Sequence, residues 1–488
     1  MGSRLSLRLD DHTPSESLTE QLSALQPVTE PLARAFVKAG HSLYLVGGPV
    51  RDALLGIKAS DLDFTTSARP DQIEAVLSSL GGPIWDMGRE FGTIGTMLIA
   101  DGEQWKIEVT TFRADAYHAD SRKPEVRFGD SIEDDLVRRD FTINAMAVDL
   151  ATGDFIDPYR GLVDLGEGVL RTPAGAETSF SDDPLRMMRA ARFVARFDVR
   201  PTPALVRAMM SLAGRLAIIS AERIRDELSK LLLTDTPRRG LDLLVRTGLA
   251  DVFLPELPAL RLEIDEHHHH KDVYEHSLTV LDQAIALEKA RHHEPDLINR
   301  LAALLHDIGK PATRRFEAGG KVSFHHHDVV GAKMVAKRLT ELKYPKDVIE
   351  SVATLVTLHL RFHGYGEAGW TDSAVRRYVR DAGPELERLH MLTRSDCTTR
   401  NKAKAERLRR AYEELEWRID ELSAQEELDS IRPDLDGNQI MEILGIGPGR
   451  VVGEAYKYLL ERRLDRGPVS PQVAAEELLT WWAGRQKG

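Results

Sequence analysis

The chain has 488 residues, enough for about three domains with cores of their own. Hydrophobic residues make up 42% and charged residues 29%, with 36 Gly and 23 Pro, which excludes a disordered, fibrous or membrane-embedded chain. The formal charge of −12 excludes a uniformly basic coat for nucleic acid and leaves room only for a local basic stripe.

Met1 to Gln26 is polar and mixes acids with Arg. It has no apolar core followed by a small-residue cleavage site, which argues against secretion. No apolar run approaches the ~20 residues that span a bilayer, so the expected location is the cytoplasm, with no membrane partner. The single cysteine, Cys397, agrees, because it cannot close an internal disulfide and excludes thiolate-rich zinc sites. Ser42–Val46 reads as a short strand stopped by Gly47–Gly48, and Pro49–Leu55 as a helix with Pro near its first turn and Gly56 past its end. Asp61–Thr66 reads as a second strand and Asp71–Leu80 as a helix closed by Gly81–Gly82. Gly92–Ala100 and Gln104–Phe112 read as two strands joined through Asp101–Gly102, a hairpin signal. The first ~150 residues are therefore α/β. Apolar positions recur at helical spacing from Pro184 to Leu254, in Leu278–Leu305 and in Val329–Leu360, so the remainder is mostly helical. Asn401–Gln425 reads as a charged, solvated helix. Pro433, Gly437, Gly445, Gly447, Pro448 and Gly449 then break the chain before a last helical stretch ending in Trp481–Trp482.

Asp61 and Asp63 are two apart on a predicted strand, so both carboxylates project from one face within reach of one or two hard cations. Taken alone, a D-x-D pair is far more often a solvated strand edge or turn. The Gly47–Gly48 turn changes the reading, since bare backbone N–H groups beside a helix start suit a phosphate, and together they suggest Mg²⁺-bound nucleotide. Glu108 either brings a third carboxylate to the same cations or is an outward-facing surface residue. Between Phe180 and Gly240 there are twelve Arg or Lys against seven Asp or Glu, a local net of +5 where a polyanion would dock first. Histidine is also uneven, with 13 of the 17 lying between His267 and His363.

The run Leu45-Val46-Gly47-Gly48-Pro49-Val50-Arg51-Asp52, followed by Asp61-Leu62-Asp63-Phe64-Thr65-Thr66, resembles the signature of class II nucleotidyltransferases. That family holds bacterial CCA-adding tRNA enzymes and poly(A) polymerases. The resemblance continues through Glu108-Val109-Thr110-Thr111-Phe112-Arg113, Asp135-Leu136, Arg138-Arg139-Asp140-Phe141-Thr142-Ile143-Asn144-Ala145-Met146-Ala147 and Asp157-Pro158. Asp182-Asp183-Pro184-Leu185-Arg186, Arg189-Ala190-Ala191-Arg192-Phe193 and Glu222-Arg223-Ile224-Arg225 extend it to about Pro255. The family pattern usually begins Glu-Asp where this chain has Asp182-Asp183. The resemblance implies template-independent addition of CCA to the 3′ end of tRNA from CTP and ATP, with poly(A) polymerase, A-only and CC-only enzymes sharing the same blocks. It implies catalytic, Mg²⁺-holding Asp61 and Asp63, aided by Glu108. It implies nucleotide contacts from Gly47, Gly48, Arg51, Arg138, Arg139, Asp140 and Asn144. Asp183 and Arg186, three apart on a predicted helix, would share a face, and an Asp acceptor beside an Arg donor matches the pairing edges of C and A but not of U or G. Arg186, Arg189 and Arg192 open a stripe, continued by Arg196 and Arg200, that reads either as triphosphate or RNA contact or as a solvated, ion-paired face.

His276, His306-Asp307 and Asp396 resemble the H…HD…D ligand set of HD-domain phosphohydrolases, with His327 and His359 where members with two metals carry extra ligands. Imidazole with carboxylate suits a divalent transition metal better than Mg²⁺. His267–His270, His325 and His326 read as surface or outer residues. A phosphohydrolase whose amino-terminal half merely binds RNA is the competing reading from another class, and intact Asp61 and Asp63 argue against it. The expected division is a polar segment 1–30, a nucleotidyltransferase head 31–160, a helical neck 161–265, an HD domain 266–400 and an RNA-engaging helical tail 401–488.

Overall fold

The structure is a computed structural model that describes residues 16–58, 61–113, 128–261, 272–318, 322–362, 371–398, 401–426 and 431–486. Two compact units divide the chain, Met1–Pro255 and Glu256–Gly488, so the division falls ahead of the expected neck boundary at 265.

In the first unit the apolar run before the glycine turn forms β1 (Leu43–Val46), and the predicted second strand forms β2 (Asp61–Thr66). With β3 (Ile84–Trp85), β4 (Thr93–Ala100), β5 (Glu103–Thr111), β6 (Ala147–Asp149) and β7 (Phe155–Ile156) they make one sheet in the order β3-β4-β5-β2-β1-β6-β7. The β2–β5 pair is parallel and the other pairings are antiparallel. The hairpin joining β4 and β5 turns at Asp101 and Gly102, both at positive φ, as a two-residue turn between right-twisted strands requires. Leu62, Phe64, Ile107 and Val109 are buried on one face, which leaves Asp61, Asp63 and Glu108 on the other.

A helix, Glu16–Lys38, runs through the expected boundary at 30. Its inner face buries Leu25, Val28, Leu32, Ala33 and Phe36 against the head. Past the sheet the unit is helical: Leu185–Phe197, Pro203–Leu212, Ala221–Leu232 and Pro237–Arg246.

In the second unit the helices Val273–Ala290, Leu297–Leu305, His327–Glu341, Lys346–Leu358 and Leu386–Asp396 follow the apolar spacing. The expected solvated helix 401–425 is observed as Lys402–Glu426, but it is not solvated all round. Tyr412, Leu415, Ile419 and Leu422 are buried along one side, and the Tyr412 hydroxyl donates to the Thr393 carbonyl at 2.7 Å. The last three helices, Gly437–Leu444, Arg450–Arg466 and Pro471–Arg485, close on a small core of Leu435, Ile440, Ala455, Leu459, Ala474 and Leu478. No described helix is long and apolar enough to cross a membrane.

Candidate active sites

Period-two alternation and strand register together build the first site. Asp63 on β2 is the register partner of Glu108 on β5, and Asp61 is the partner of Lys106, so three carboxylates and one ammonium share a sheet face. Lys106 Nζ lies 2.7 Å from Glu108 Oε1. Asp63 keeps contact with solvent, yet the surrounding protein partly desolvates it and raises its pKa; Arg139 pulls the value down, and Glu108 and Asp61 push it up. Such a crowd of acids relieves its own repulsion by taking up a divalent cation, and its all-oxygen donors fit Mg²⁺.

Beside the acids, Gly47 turns the chain at φ +73, and a Cβ there would come within 2.7 Å of an Arg139 guanidinium nitrogen. That guanidinium and Arg138 both grip Asp135, which is buried, at 2.9 and 2.7 Å. Burial alone would raise the Asp135 pKa, but the two arginines hold it below the usual range. Asp140 accepts from the Asn144 amide at 2.9 Å and from Arg189 at 2.6 Å, which overcomes its burial and brings its pKa to about 2. Arg51 is buried, donates to Asn144 and Asp52, and lies over the Phe197 ring at 4.5 Å. Arg192 pairs with buried Glu227 at 2.7 Å. Arg51, Arg189 and Arg192 are thus built into an ion-pair lattice rather than left as a free stripe.

The second site gathers residues at helix ends. His306-Asp307 follows helix Leu297–Leu305, His327 opens its helix, His359 follows helix Lys346–Leu358, and Asp396 ends its own. Gly309 lets two of these segments meet, since a Cβ there would lie 2.2 Å from the His327 carbonyl oxygen. The donor atoms fall into two triads, His276, His306, Asp396 and Asp307, His327, His359. Asp307 spans both: Oδ2 lies 3.3 Å from His306 Nε2 and 3.6 Å from His276 Nε2, while Oδ1 lies 3.3 Å from His327 Nε2 and 3.9 Å from His359 Nε2.

Every imidazole in the cluster is oriented from behind. Nδ1 of His306, His327 and His359 faces the Ala303, Phe324 and Val356 carbonyls at 2.9, 2.8 and 2.6 Å, and Nδ1 of His276 faces the Thr398 hydroxyl at 3.2 Å. A carbonyl can only accept, so in the neutral rings of His306, His327 and His359 the proton sits on Nδ1 and the Nε2 lone pair points inward. Nε2 of His327 and of His359 is buried without a hydrogen bond. Orphaned inward nitrogens with two carboxylates are the donor set of a divalent transition metal, so the residues fit one. Without metal, burial would lower the His306 pKa, but Asp307 and Asp396 raise it to about 10. His359 is driven down to about 4 by burial and by His306.

Known domains match both halves of the chain. The description "Poly A polymerase head domain" matches residues 43–171, "Probable RNA and SrmB- binding site of polymerase A" matches 198–260, and "HD domain" matches 273–401. The A-adding tRNA nucleotidyltransferase of Deinococcus radiodurans is 34% identical over 458 residues, covering 91% of this chain and 96% of the relative. The chain belongs to the tRNA nucleotidyltransferase family. The CC-adding tRNA nucleotidyltransferase of Thermus thermophilus is 32% identical, covering 90% of this chain and 93% of its own. The Bacillus stearothermophilus CCA-adding enzyme in complex with CTP superposes with a TM-score of 0.67 at 25% identity, covering 95% and 98% of the two chains.

One detail of this nucleotidyltransferase corrects the sequence reading. Asp183 and Arg186 do not share a helix face: helix Ala176–Asp182 stops, Asp183 is extended, and helix Leu185–Phe197 begins after Pro184. Asp183 accepts from Arg223 at 3.2 Å. Arg186 is buried and donates to the Ser179 hydroxyl at 2.8 Å and the Arg138 carbonyl at 2.6 Å. Of the outer histidines, His325 and His326 are exposed, and His267–His270 lie outside the described residues. Lys106 was not singled out from sequence, although its spacing of two from Glu108 already places both on one strand face.

Proposed function

We propose that the first unit completes the CCA end of tRNA from CTP and ATP, releasing pyrophosphate. The observation that carries this is the placement of Asp61, Asp63 and Glu108 on one sheet face beside the Gly47 turn and Arg139. Asp61 and Asp63 would hold divalent metal, with Glu108 joining them. That metal, when bound, supplies charge for in-line displacement, in which the RNA 3′-oxygen bonds to the α-phosphorus and pyrophosphate leaves with its bridging oxygen. The 3′-hydroxyl gives its proton to the site or to solvent. Arg138 and Arg139 would place bidentate donors against the triphosphate, and Asp140 with Asn144 would meet the ribose hydroxyls. Asp183 and Arg186 would read the base, each from its own segment.

A second reading is supported by the Deinococcus radiodurans relative, an A-adding enzyme matched over nearly its whole length. The test offers the protein tRNA ending before CCA and tRNA ending in CC, with each NTP singly and combined, followed by sequencing of the 3′ ends. CCA on the first substrate supports full addition. A single A on the second substrate alone assigns the narrower activity, a run of A assigns poly(A) synthesis, and no addition to either overturns both readings. For the second unit we propose a metal-dependent phosphohydrolase in which His276, His306, Asp307 and Asp396, with His327 and His359, would hold divalent transition metal.

A further inference from the structure

On the face of the sheet that carries the three carboxylates, the register sets Lys106 opposite Asp61 and Glu108 opposite Asp63, on strands that neighbour each other about 5 Å apart. The one close ion pair in that group is Lys106 with Glu108, at 2.7 Å. The side chains of both retain 45% and 38% of their exposure, so the pair can open without unpacking a core. Arg139, the nearby guanidinium, is committed to Asp135 and to the space over Gly47. Among the described residues, Lys106 is therefore the exposed cation of this face that is paired to one of its carboxylates.

We propose that Lys106 is a tethered cation that holds Glu108 out of the metal-binding set until a divalent ion displaces it, so that Lys106 sets the ion concentration at which the head becomes competent. The inference rests on reading Asp61, Asp63 and Glu108 as metal ligands. A hard divalent cation needs carboxylate oxygens in direct coordination, and an ammonium 2.7 Å from Glu108 occupies the same oxygen's charge. Two cations on one carboxylate repel each other, so the ammonium lowers the affinity of Glu108 for a divalent ion. Binding then carries the cost of opening the ion pair and swinging the lysine away. Lys106 acts through Glu108, so it is a positioning residue.

The test is Mn²⁺ binding to the full chain, read from the loss of the free-ion signal in electron paramagnetic resonance. The Asp61→Ala, Asp63→Ala double variant serves as the blank that isolates the head sites from the histidine cluster. Lys106→Met should tighten head binding about fivefold, the upper range for an exposed ion pair. Lys106→Arg should titrate like the parent, and Lys106→Met should have no further effect in a Glu108→Gln background. The Mg²⁺ concentration giving half-maximal nucleotide addition should fall by the same factor. If Lys106→Met binds Mn²⁺ like the parent while the blank loses sites, the lysine is an ordinary surface partner and the inference fails. If the blank itself titrates like the parent, the metal reading of the head fails, and the inference falls with its basis.

Discussion

Asp61 and Asp63 are distinguished from an ordinary acidic strand edge by their neighbours: Glu108 in register, Arg139 over the glycine turn, and a pKa for Asp63 raised first by desolvation and then by Glu108 and Asp61. Asp61→Ala or Asp63→Ala should lower the rate of nucleotide addition by at least about a hundredfold, since metal-assisted stabilisation of the transferring phosphate is worth several kcal/mol. tRNA binding, measured by filter retention, should change little, because backbone contacts do not need the acids. Activity within tenfold of the parent would refute the assignment. Arg186 is held by Ser179 and the Arg138 carbonyl, so its guanidinium is aimed rather than free. Arg186→Ala should raise misincorporation of U and G relative to C and A, an unmet polar group in a desolvated pocket costing about 1–3 kcal/mol. Unchanged misincorporation with normal CTP use would show that Arg186 does not read the base. At the second site the direction of a proton matters. The His306 pKa is raised from 6.5 to about 10 in the metal-free cluster, so its imidazolium contributes stability that is present below about 6.5 and lost as pH rises through about 10. Metal needs the neutral ring, so binding must expel that proton. Apparent affinity for Mn²⁺ or Ni²⁺ should rise about tenfold per pH unit between pH 7 and 9, and calorimetry in buffers of different ionisation enthalpy should report about one proton released. A pH-independent affinity would mean that His306 is already neutral.

At the scale of elements, the helix Glu16–Lys38 is the largest addition to what the sequence predicts, and it is tied to the head by Leu32 and Phe36, neither of which has any exposed surface. Leu32→Ala should destabilise the first unit by about 2–5 kcal/mol, visible as a lower thermal midpoint, while activity per folded molecule stays near the parent value. A larger loss of specific activity than of folded fraction would show that the helix shapes the site itself. Gly47→Ala combines a backbone strained at φ +73 with a methyl group 2.7 Å from Arg139. It should raise the KM for nucleotide more than it lowers the thermal midpoint; an unchanged KM would detach the glycine turn from triphosphate binding. Strand Asp61–Thr66 and the Asp101–Gly102 hairpin were legible because period-two alternation and a turn demanding positive φ leave few alternatives. The amino-terminal helix was not, because Pro27 and Pro31 and a polar first half mask the spacing of Leu25, Val28, Leu32 and Phe36. The same masking hid the buried side of Lys402–Glu426, where Tyr412, Leu415, Ile419 and Leu422 are outnumbered by charges. Helical periodicity carried the Asp183–Arg186 reading one residue too far, since Pro184 ends one helix and starts another. The histidines were readable from local sequence as a candidate ligand set, but the approach of Asp307 to both triads depends on five helix ends converging, which no local pattern records.

Across the whole molecule, the two candidate centres draw on different units and different sets of donor atoms. The acids of the first lie in Met1–Pro255 and the histidines of the second in Glu256–Gly488, and even Glu108 and His276 are 168 residues apart along the chain. Carboxylates alone suit Mg²⁺, whereas four inward imidazoles with two carboxylates suit Mn²⁺, Co²⁺ or Ni²⁺. Their activities should therefore separate by mutation. His306→Ala combined with Asp307→Ala should abolish any hydrolysis of 2′,3′-cyclic nucleotides or simple phosphomonoesters in Mn²⁺, Co²⁺ or Ni²⁺, while addition to tRNA in Mg²⁺ stays near the parent rate. Asp61→Ala should give the reverse pattern. Because metal stabilises the fold that holds it by an amount that grows with its free concentration, chelation should lower the unfolding midpoint of the second unit in the parent and leave it unmoved in the double variant. If the double variant keeps its circular dichroism yet loses addition, the histidine unit is part of the path the tRNA takes to the first site. If the parent hydrolyses none of these substrates but still loses stability on chelation, the six residues hold a structural or regulatory metal, which offsets the cost of burying Asp307 and three imidazoles without serving a second reaction.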